Sequence, residues 1–472
     1  MLDAMIRARS VAVVGASQKK NEAGGDKLGT VALNHLLAHN YPGKVYPVNP
    51  KETEIRGLTC YASLTDIPDD IDLAVIAVPA KASVSVMKEC GAKGVKTAIV
   101  LASGFGEAGE PELEAELIAA ARDGGVRFCG PNTNGLISIA NDMVSCTSMV
   151  CAMESFNKGS IAFLTQSGAV GGSMLGIGTE EHGGFSHWVS VGNEADLQVA
   201  DYLDYLVDDP DTKVFALFIE GIRDPEKFTR ACAKAARAGK PIVVYKIGLS
   251  DVSAASAASH TGAMVGSNAV FDAVCRKYGV VRVDDAADLL PTAITFSRLL
   301  DKLPKGPRMG LIGPSGGICG VCADECHRFG LEVPELPQAA QETLKQFIPP
   351  FGALRNPIDV TQQIRSSPTG YQDTIKTVLD LDGIDGLFLL VTMVAEPRAS
   401  FYAEIFTAAA RATDKPVIIG WTGAPSLAAK AIPQIKRDQV PIYFSARGAV
   451  HAMRALLDYQ RFLDARTEEA AR

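Results

Sequence analysis

Short apolar runs, each closed by glycine, proline, serine or asparagine, alternate along the chain with longer segments whose apolar residues recur at helical spacing. In the first stretch the runs 10–17, 44–50, 73–79, 97–101 and 127–132 predict strands, and the segments near 28–39, 83–90 and 111–123 predict helices. A second stretch repeats the rhythm, with strands at 159–164, 187–191, 214–219 and 241–246 and helices opening after Thr165 and covering 199–207 and 225–238. A third offers a strand and glycine turn at 309–317, strands at 386–391, 416–420 and 441–444, the segment Asn356-Pro357-Ile358-Asp359, and a cysteine-bearing helix after Gly317. Strand and helix in strict alternation imply parallel sheets covered on both faces. The expected fold is α/β, with three consecutive doubly wound parallel-sheet domains at 1–145, 146–300 and 301–472.

Ligands of such sheets bind outside the carboxyl ends of the strands, so the strand ends carry the chemistry. In the first domain they read Gly15-Ala16-Ser17, Asn49-Pro50-Lys51, Val78-Pro79, Ser103-Gly104-Phe105-Gly106-Glu107 and Gly130-Pro131-Asn132. A dinucleotide fingerprint would need G-x-G-x-x-G after the first strand and an acid closing the second. Here the first turn has Gly15 alone, and Lys51 stands where an acid would grip a ribose diol. That favours a ligand with phosphate near this point, such as a phosphorylated adenosine, lying extended in a shallow crevice lined by backbone.

The second domain places Gln166-Ser167-Gly168-Ala169 between a strand and a helix, and Gly192-Asn193 after the next strand. Amides at a helix start attract anions. No Gly-Lys-Ser/Thr follows, so the anion expected here is a phosphate carried on the protein itself. The run Ala254-Ala255-Ser256-Ala257-Ala258-Ser259-His260-Thr261-Gly262-Ala263 supplies a carrier. Small neighbours leave the His260 imidazole open to large ligands, and a neutral imidazole is a nucleophile near neutral pH. Glu220 closes a neighbouring strand and can hold one imidazole nitrogen, fixing which of the two attacks. His260 reads as a phosphorylated histidine.

Bulk properties narrow the classes. A chain of 472 residues suggests roughly three domains, and 47% hydrophobic with 21% charged residues describes a globular protein. A net charge of -8 without a basic stripe excludes nucleic acid as the expected partner. No apolar run approaches the ~20 residues of a membrane span, and the expected location is cytoplasmic. The ten cysteines are read as reduced thiols. Cys319, Cys322 and Cys326, followed by His327, share a helical face but fan out along its axis, so no metal site is expected.

Taken in order, these motifs resemble the alpha subunit of the ADP-forming acyl-CoA synthetases, relatives of succinyl-CoA synthetase, over essentially the whole chain. The resemblance makes 1–145 a Rossmann-like CoA-binding domain. It makes 146–300 a succinyl-CoA-synthetase-like domain with the phosphohistidine loop, and 301–472 a flavodoxin-like ligase-CoA domain. It implies a reaction in which a small carboxylic acid, CoA and ATP give acyl-CoA, ADP and phosphate through an acyl phosphate and a phosphohistidine at His260. ATP/ADP and Mg²⁺ would sit on a separate ATP-grasp beta subunit, in an α2β2 assembly. CoA would lie along Gly15, Ala16, Ser17, Asn49, Pro50, Lys51, Val78, Pro79, Ser103, Gly104, Phe105, Pro131 and Asn132. Acid and phosphate would meet at Gln166, Ser167, Gly168, Ala169, Gly192 and Asn193. The chain departs from the family at Leu249, where the loop before the histidine usually has arginine, and at Ser253, where glycine is usual. A CoA-binding regulatory subunit without phosphoryl transfer is the alternative reading.

Overall fold

The computed structural model describes residues 2–471 apart from 251, 254–266, 363 and 365–368. It divides into two compact units, Met1–Ala293 and Ile294–Arg472. In the first unit, β1 (Ser10–Val14) and β2 (Lys44–Val48) are followed by a small antiparallel ribbon, β3 (Glu54–Ile55) with β4 (Leu58–Thr59). Then come β5 (Leu73–Ile76), β6 (Thr97–Val100) and β7 (Arg127–Cys129). The five longer strands pair in parallel in the order β2-β1-β5-β6-β7. Every residue of β1, β5 and β6 is buried, as expected of central strands covered by helices on both faces. Pro47, which cannot donate to a ladder, sits in edge strand β2.

The second sheet contains β8 (Gly135–Ser138), β9 (Met143–Cys146), β10 (Lys158–Thr165), β11 (Phe185–Ser190), β12 (Val214–Ile219), β13 (Ile242–Lys246) and β14 (Val280–Arg282). Its order is β14-β13-β12-β10-β11-β8-β9. Five strands are parallel, and the hairpin β8–β9 extends the sheet antiparallel beyond β11. That hairpin was not foreseen: both of its strands are buried throughout, so no polar alternation marks them.

A buried polar network ties the segment Asp3–Arg7 to this sheet. His187 of β11 is fully buried, its Nδ1 at 3.1 Å from Ser138 Oγ and its Nε2 at 3.1 Å from Asp209 Oδ2. Asp209 also accepts from Thr212 Oγ1 (2.7 Å) and from Arg7 Nη2 (2.6 Å). Nearby, Tyr205 donates to Asp3 Oδ1 at 3.0 Å, and the Tyr202 hydroxyl lies 3.2 Å from the Met5 sulfur.

The second unit holds β15 (Met309–Gly313), β16 (Ile358–Asp359), β17 (Gly386–Val391), β18 (Val417–Trp421) and β19 (Ile442–Tyr443), parallel in the order β16-β15-β17-β18-β19. Counted along the chain, the parallel strands of all three sheets share one spatial order, 2-1-3-4-5. Each sheet therefore reverses winding direction at one place, between β1 and β5, β10 and β12, and β15 and β17. Such a reversal opens a crevice at the strands' carboxyl ends. Among the described residues no helix is long and apolar enough to cross a membrane. All ten cysteines are buried, Cys319, Cys322 and Cys326 on the inner face of helix Gly316–Arg328.

Candidate active site

The first crevice is built mostly from backbone. Gly15 leaves β1 at φ +94°, and a Cβ there would lie 2.5 Å from Ala77 O, so only glycine lets the turns after β1 and β5 close together. Asn49 Nδ2 donates to Ala16 O at 2.7 Å, and Asn49 Oδ1 accepts from Lys51 N at 3.0 Å, which fixes the end of β2 against the end of β1. Ser17 is buried and donates to Glu52 Oε1 at 3.2 Å. The helices Leu28–Ala38 and Ala80–Lys93 start at Lys27 and Pro79 with no side-chain cap. Their first amides and positive dipole ends are thus left for a ligand at the carboxyl edge. Pro50, Lys51, Pro79 and Ser103 are exposed, and Val78 is half-buried. Uncapped helix starts, a lysine with no ion pair among the described residues and a side-chain-poor turn leave this edge open to an anion. Phe105 is different: its ring is fully buried with Leu117 and Phe128 in the core, so it anchors the loop from below.

Strand ends of the first and second sheets meet through Asn193. Its Nδ2 donates to Glu107 Oε2 (2.5 Å) and Glu114 Oε2 (3.1 Å), and its Oδ1 accepts from Asn132 Nδ2 (3.2 Å). Burial opposes charge on Glu107, but hydrogen bonds from Asn193 and the Gly104 amide outweigh it and hold this carboxyl below its usual range. Asn132 has φ +58° and donates its amide to Ala102 O (2.8 Å), while Pro131 O accepts from Asn193 N (2.9 Å). Gly192, at φ +63°, would bring a Cβ to 2.3 Å from Pro131 O. Gly192→Ala is therefore expected to cost about 2 kcal/mol or more, because the left-handed backbone is strained and the carbonyl cannot retreat. Thermal unfolding of the two proteins side by side checks this.

At the second crevice Gln166 is the pivot. It is buried at the end of β10, and its side chain makes four hydrogen bonds. Nε2 donates to Glu194 Oε2 and Gly221 O, each at 2.7 Å. Oε1 accepts from the amides of Glu220 (2.5 Å) and Gly221 (3.0 Å). Gln166 therefore holds the end of β12, where Glu220 is buried, against the turn after β11. Ser167 caps the helix Gly168–Glu180, its hydroxyl accepting from Val170 N at 3.4 Å, and Ala169 is exposed at the helix start.

Sequence reasoning passed over Glu194. It sits at φ +55° and is buried, with Oε1 accepting from Val199 N at 2.6 Å. Burial pushes its carboxyl up to about 7, against the hydrogen bonds from Val199 and Gln166 and the charge of Arg223. The signal available was one acid within a Gly-Asn-Glu-Ala-Asp turn, and nothing in the sequence distinguishes an inward acid from a solvated one. Lys246 was also missed. It ends β13, is buried, donates to Ile247 O at 3.2 Å and lies 5.8 Å from the centre of the Phe271 ring. Burial and then the charge of Arg282 hold it below the ordinary lysine range. Leu249, on the loop that follows, is exposed. His260, with Thr261, Gly262 and Ala263, lies outside the described residues.

Two doubly wound sheets whose strand-end turns are joined through Asn193 carry the sequence signatures of a CoA-handling α/β ligase. Residues 9–138 match the CoA binding domain, 158–296 the succinyl-CoA ligase like flavodoxin domain and 309–459 the Ligase-CoA domain. The chain is 34% identical to the alpha subunit of ADP-forming acetate–CoA ligase II of Pyrococcus furiosus over 97% of each chain. It is also 34% identical to the alpha subunit of that organism's acetate–CoA ligase I over 98% of each. Its fold matches the dinucleotide forming acetyl-coenzyme A synthetase 1 of Ca. Korarchaeum cryptofilum, solved with phosphate and ADP, at a TM-score of 0.89, 32% identity and 99% coverage of both chains. The chain belongs to the family of ADP-forming acetate–CoA ligase alpha subunits, acid–thiol ligases of the succinyl-CoA synthetase superfamily.

Proposed function

We propose that this chain joins a small carboxylic acid to CoA through an acyl phosphate, with His260 carrying the phosphoryl group to and from a separate ATP-grasp beta subunit in an α2β2 assembly. In the acyl-CoA-forming direction the phosphoryl group passes from Nδ1 or Nε2 of His260 to a carboxylate oxygen of the acid. The thiol of CoA then attacks the acyl carbon, the C–O bond to phosphate breaks, and inorganic phosphate leaves. Mg²⁺ and ATP/ADP belong to the partner, which recharges the histidine. Transfer of this kind draws mainly on positioning and electrostatics. The helix start at Ser167, Gly168 and Ala169 supplies the positive end, and Glu220 orients the imidazole. The strand-end crevice from Gly15 to Asn132 takes CoA. Three domains divide these tasks, read from the sequence as 1–145, 146–300 and 301–472, with the hairpin Gly135–Cys146 joining the second sheet.

The observation that carries this reading is Asn193, which binds the Glu107 loop and Asn132 on the CoA side while lying next to Gly192 and Glu194 on the phosphate side. Two half-sites joined by one buried amide suit a reaction in which thiol and acyl phosphate must meet. The test is intact-mass spectrometry of the chain mixed with its ATP-grasp partner, Mg²⁺ and ATP. An acid-labile gain of about 80 Da, absent from His260→Ala, is expected. A chain that binds CoA yet gains no mass overturns the catalytic reading in favour of a regulatory CoA-binding subunit.

A further inference from the structure

Two cations meet one aromatic ring at the end of β13. Lys246 Nζ lies 5.8 Å from the centre of the Phe271 ring, and Arg282 Cζ lies 5.4 Å from the same centre. Arg282 is paired: its Nη1 contacts Asp272 Oδ1, and its Nη2 donates to Asn268 Oδ1 at 3.1 Å. Lys246 is not. It is 2% exposed, and among the described residues it makes one hydrogen bond, to Ile247 O at 3.2 Å, and no ion pair. An ammonium has three protons to donate, so two remain unspent. The charges near this corner are two cations, Lys246 and Arg282, against the single carboxylate of Asp272.

Burying a charge without a counter-charge costs stability, and an apolar side chain of similar size serves a fold as well or better. Ile242 and Val244, which precede Lys246 on the same face of β13, are buried in the core with Phe228 and Phe271. A lysine at the end of that row breaks the apolar pattern and gains no partner from the fold.

Its place supplies a reason. Lys246 pairs in register with Ile219, and Ile247 N donates to Ile219 O at 3.0 Å, so this strand end runs beside the Glu220 turn that Gln166 holds. The chain leaves β13 here and is gathered back at Asn268, whose Nδ2 donates to Gly248 O at 2.8 Å. The segment between Gly248 and Asn268 contains His260. It begins and ends at the corner that carries the surplus positive charge. In an interior of low dielectric such a charge acts over several ångströms.

We propose that Lys246 counters the charge of the phosphoryl group handled at the carboxyl edge of the second sheet, and so is a positioning residue for phosphate. The inference rests on the proposed function and deepens it by giving phosphate a counter-charge outside the helix start at Ser167.

The test uses the full chain with its ATP-grasp partner, run from acetyl-CoA, ADP and inorganic phosphate. Lys246→Met keeps the length of the side chain and removes its charge. The KM for phosphate is expected to rise about tenfold or more, as for the loss of one charged interaction, while the KM for acetyl-CoA stays within about twofold. Lys246→Gln, polar but uncharged, is expected to share the phosphate defect. Thermal unfolding of Lys246→Met is expected at or above the wild-type temperature. An unchanged KM for phosphate, or equal rises in both KM values, overturns the proposal. So does a Lys246→Met protein that unfolds well below the wild type, which assigns the lysine to the fold. Failure of the proposed function reads differently, because the wild type itself then gains no phosphoryl mass from ATP.

Discussion

Gln166→Leu is expected to lower phosphoryl transfer through His260 about 100-fold while CoA still binds the first sheet. The substitution keeps side-chain size but removes all four hydrogen bonds that Gln166 makes to Glu194, Gly221 and the Glu220 amide. The Glu220 amide then loses its Gln166 acceptor, and Glu194 keeps the Val199 amide and the charge of Arg223. Phosphohistidine formation in single turnover, with CoA affinity measured on the same preparation, separates lost positioning from general damage. Equal losses in both would assign Gln166 to the fold alone.

Glu194 adds a pH signature. With a folded-state carboxyl pushed up to about 7, the native protein holds a proton that the unfolded chain has already released. Stability from this group is therefore lost as pH rises from the ordinary glutamate range toward 7. Asp201 adds to the upward push and Arg223 resists it. Glu194→Gln is expected to gain on the wild type by roughly 3 kcal/mol between about pH 5 and about pH 8. Denaturant unfolding at the two pH values measures that difference directly.

The second large effect is on the fold. Asp209→Ala is expected to destabilise the first unit by about 3–5 kcal/mol, since it strands a fully buried His187 and removes the acceptor of Thr212 and Arg7. The Asp209 side chain is 2% exposed; burial opposes its charge, yet hydrogen bonds from His187 and Thr212 and the nearby Arg7 bring its carboxyl down to about 2. A lowered folded-state value means stability present above the ordinary aspartate range and lost as pH falls through about 2. This contribution is about 2 kcal/mol at neutral pH. Acid titration of unfolding should show a shallower loss in the variant.

Much of the architecture was legible because central parallel strands are apolar on both faces and end in residues that break structure. The run 214–219 and the helix 199–207 were read to the residue, matching Val214–Ile219 and Val199–Val207. The hairpin β8–β9 was invisible for the opposite reason: it is antiparallel, yet it lacks the alternation that a half-exposed hairpin displays. At Gly15 and Gly192 the backbone geometry dictates the residue type that the sequence shows. Where a partner sets a side chain's place, the sequence is silent. Phe105 belongs to the core, and Gln166, named for its place at a helix start, spends its side chain on Glu194 and the Glu220 turn. Such pairings join residues far apart in the chain, and local sequence carries no record of them.

The bond from Arg7 to Asp209 also sets an order of events during synthesis. The segment Asp3–Arg7 finds side-chain partners at Tyr202, Tyr205 and Asp209. At translation rates of about 5–20 residues per second, it waits roughly 10–40 s after leaving the ribosome before those partners exist. The first sheet can pair its own strands in that interval, but the charge of Arg7 stays without Asp209. Until then Met5, fully buried in the finished protein, lacks the cover that Tyr202 gives it. A ribosome stalled before Asp209 would hold the chain with this long-range bond unmade and His187 without its carboxylate.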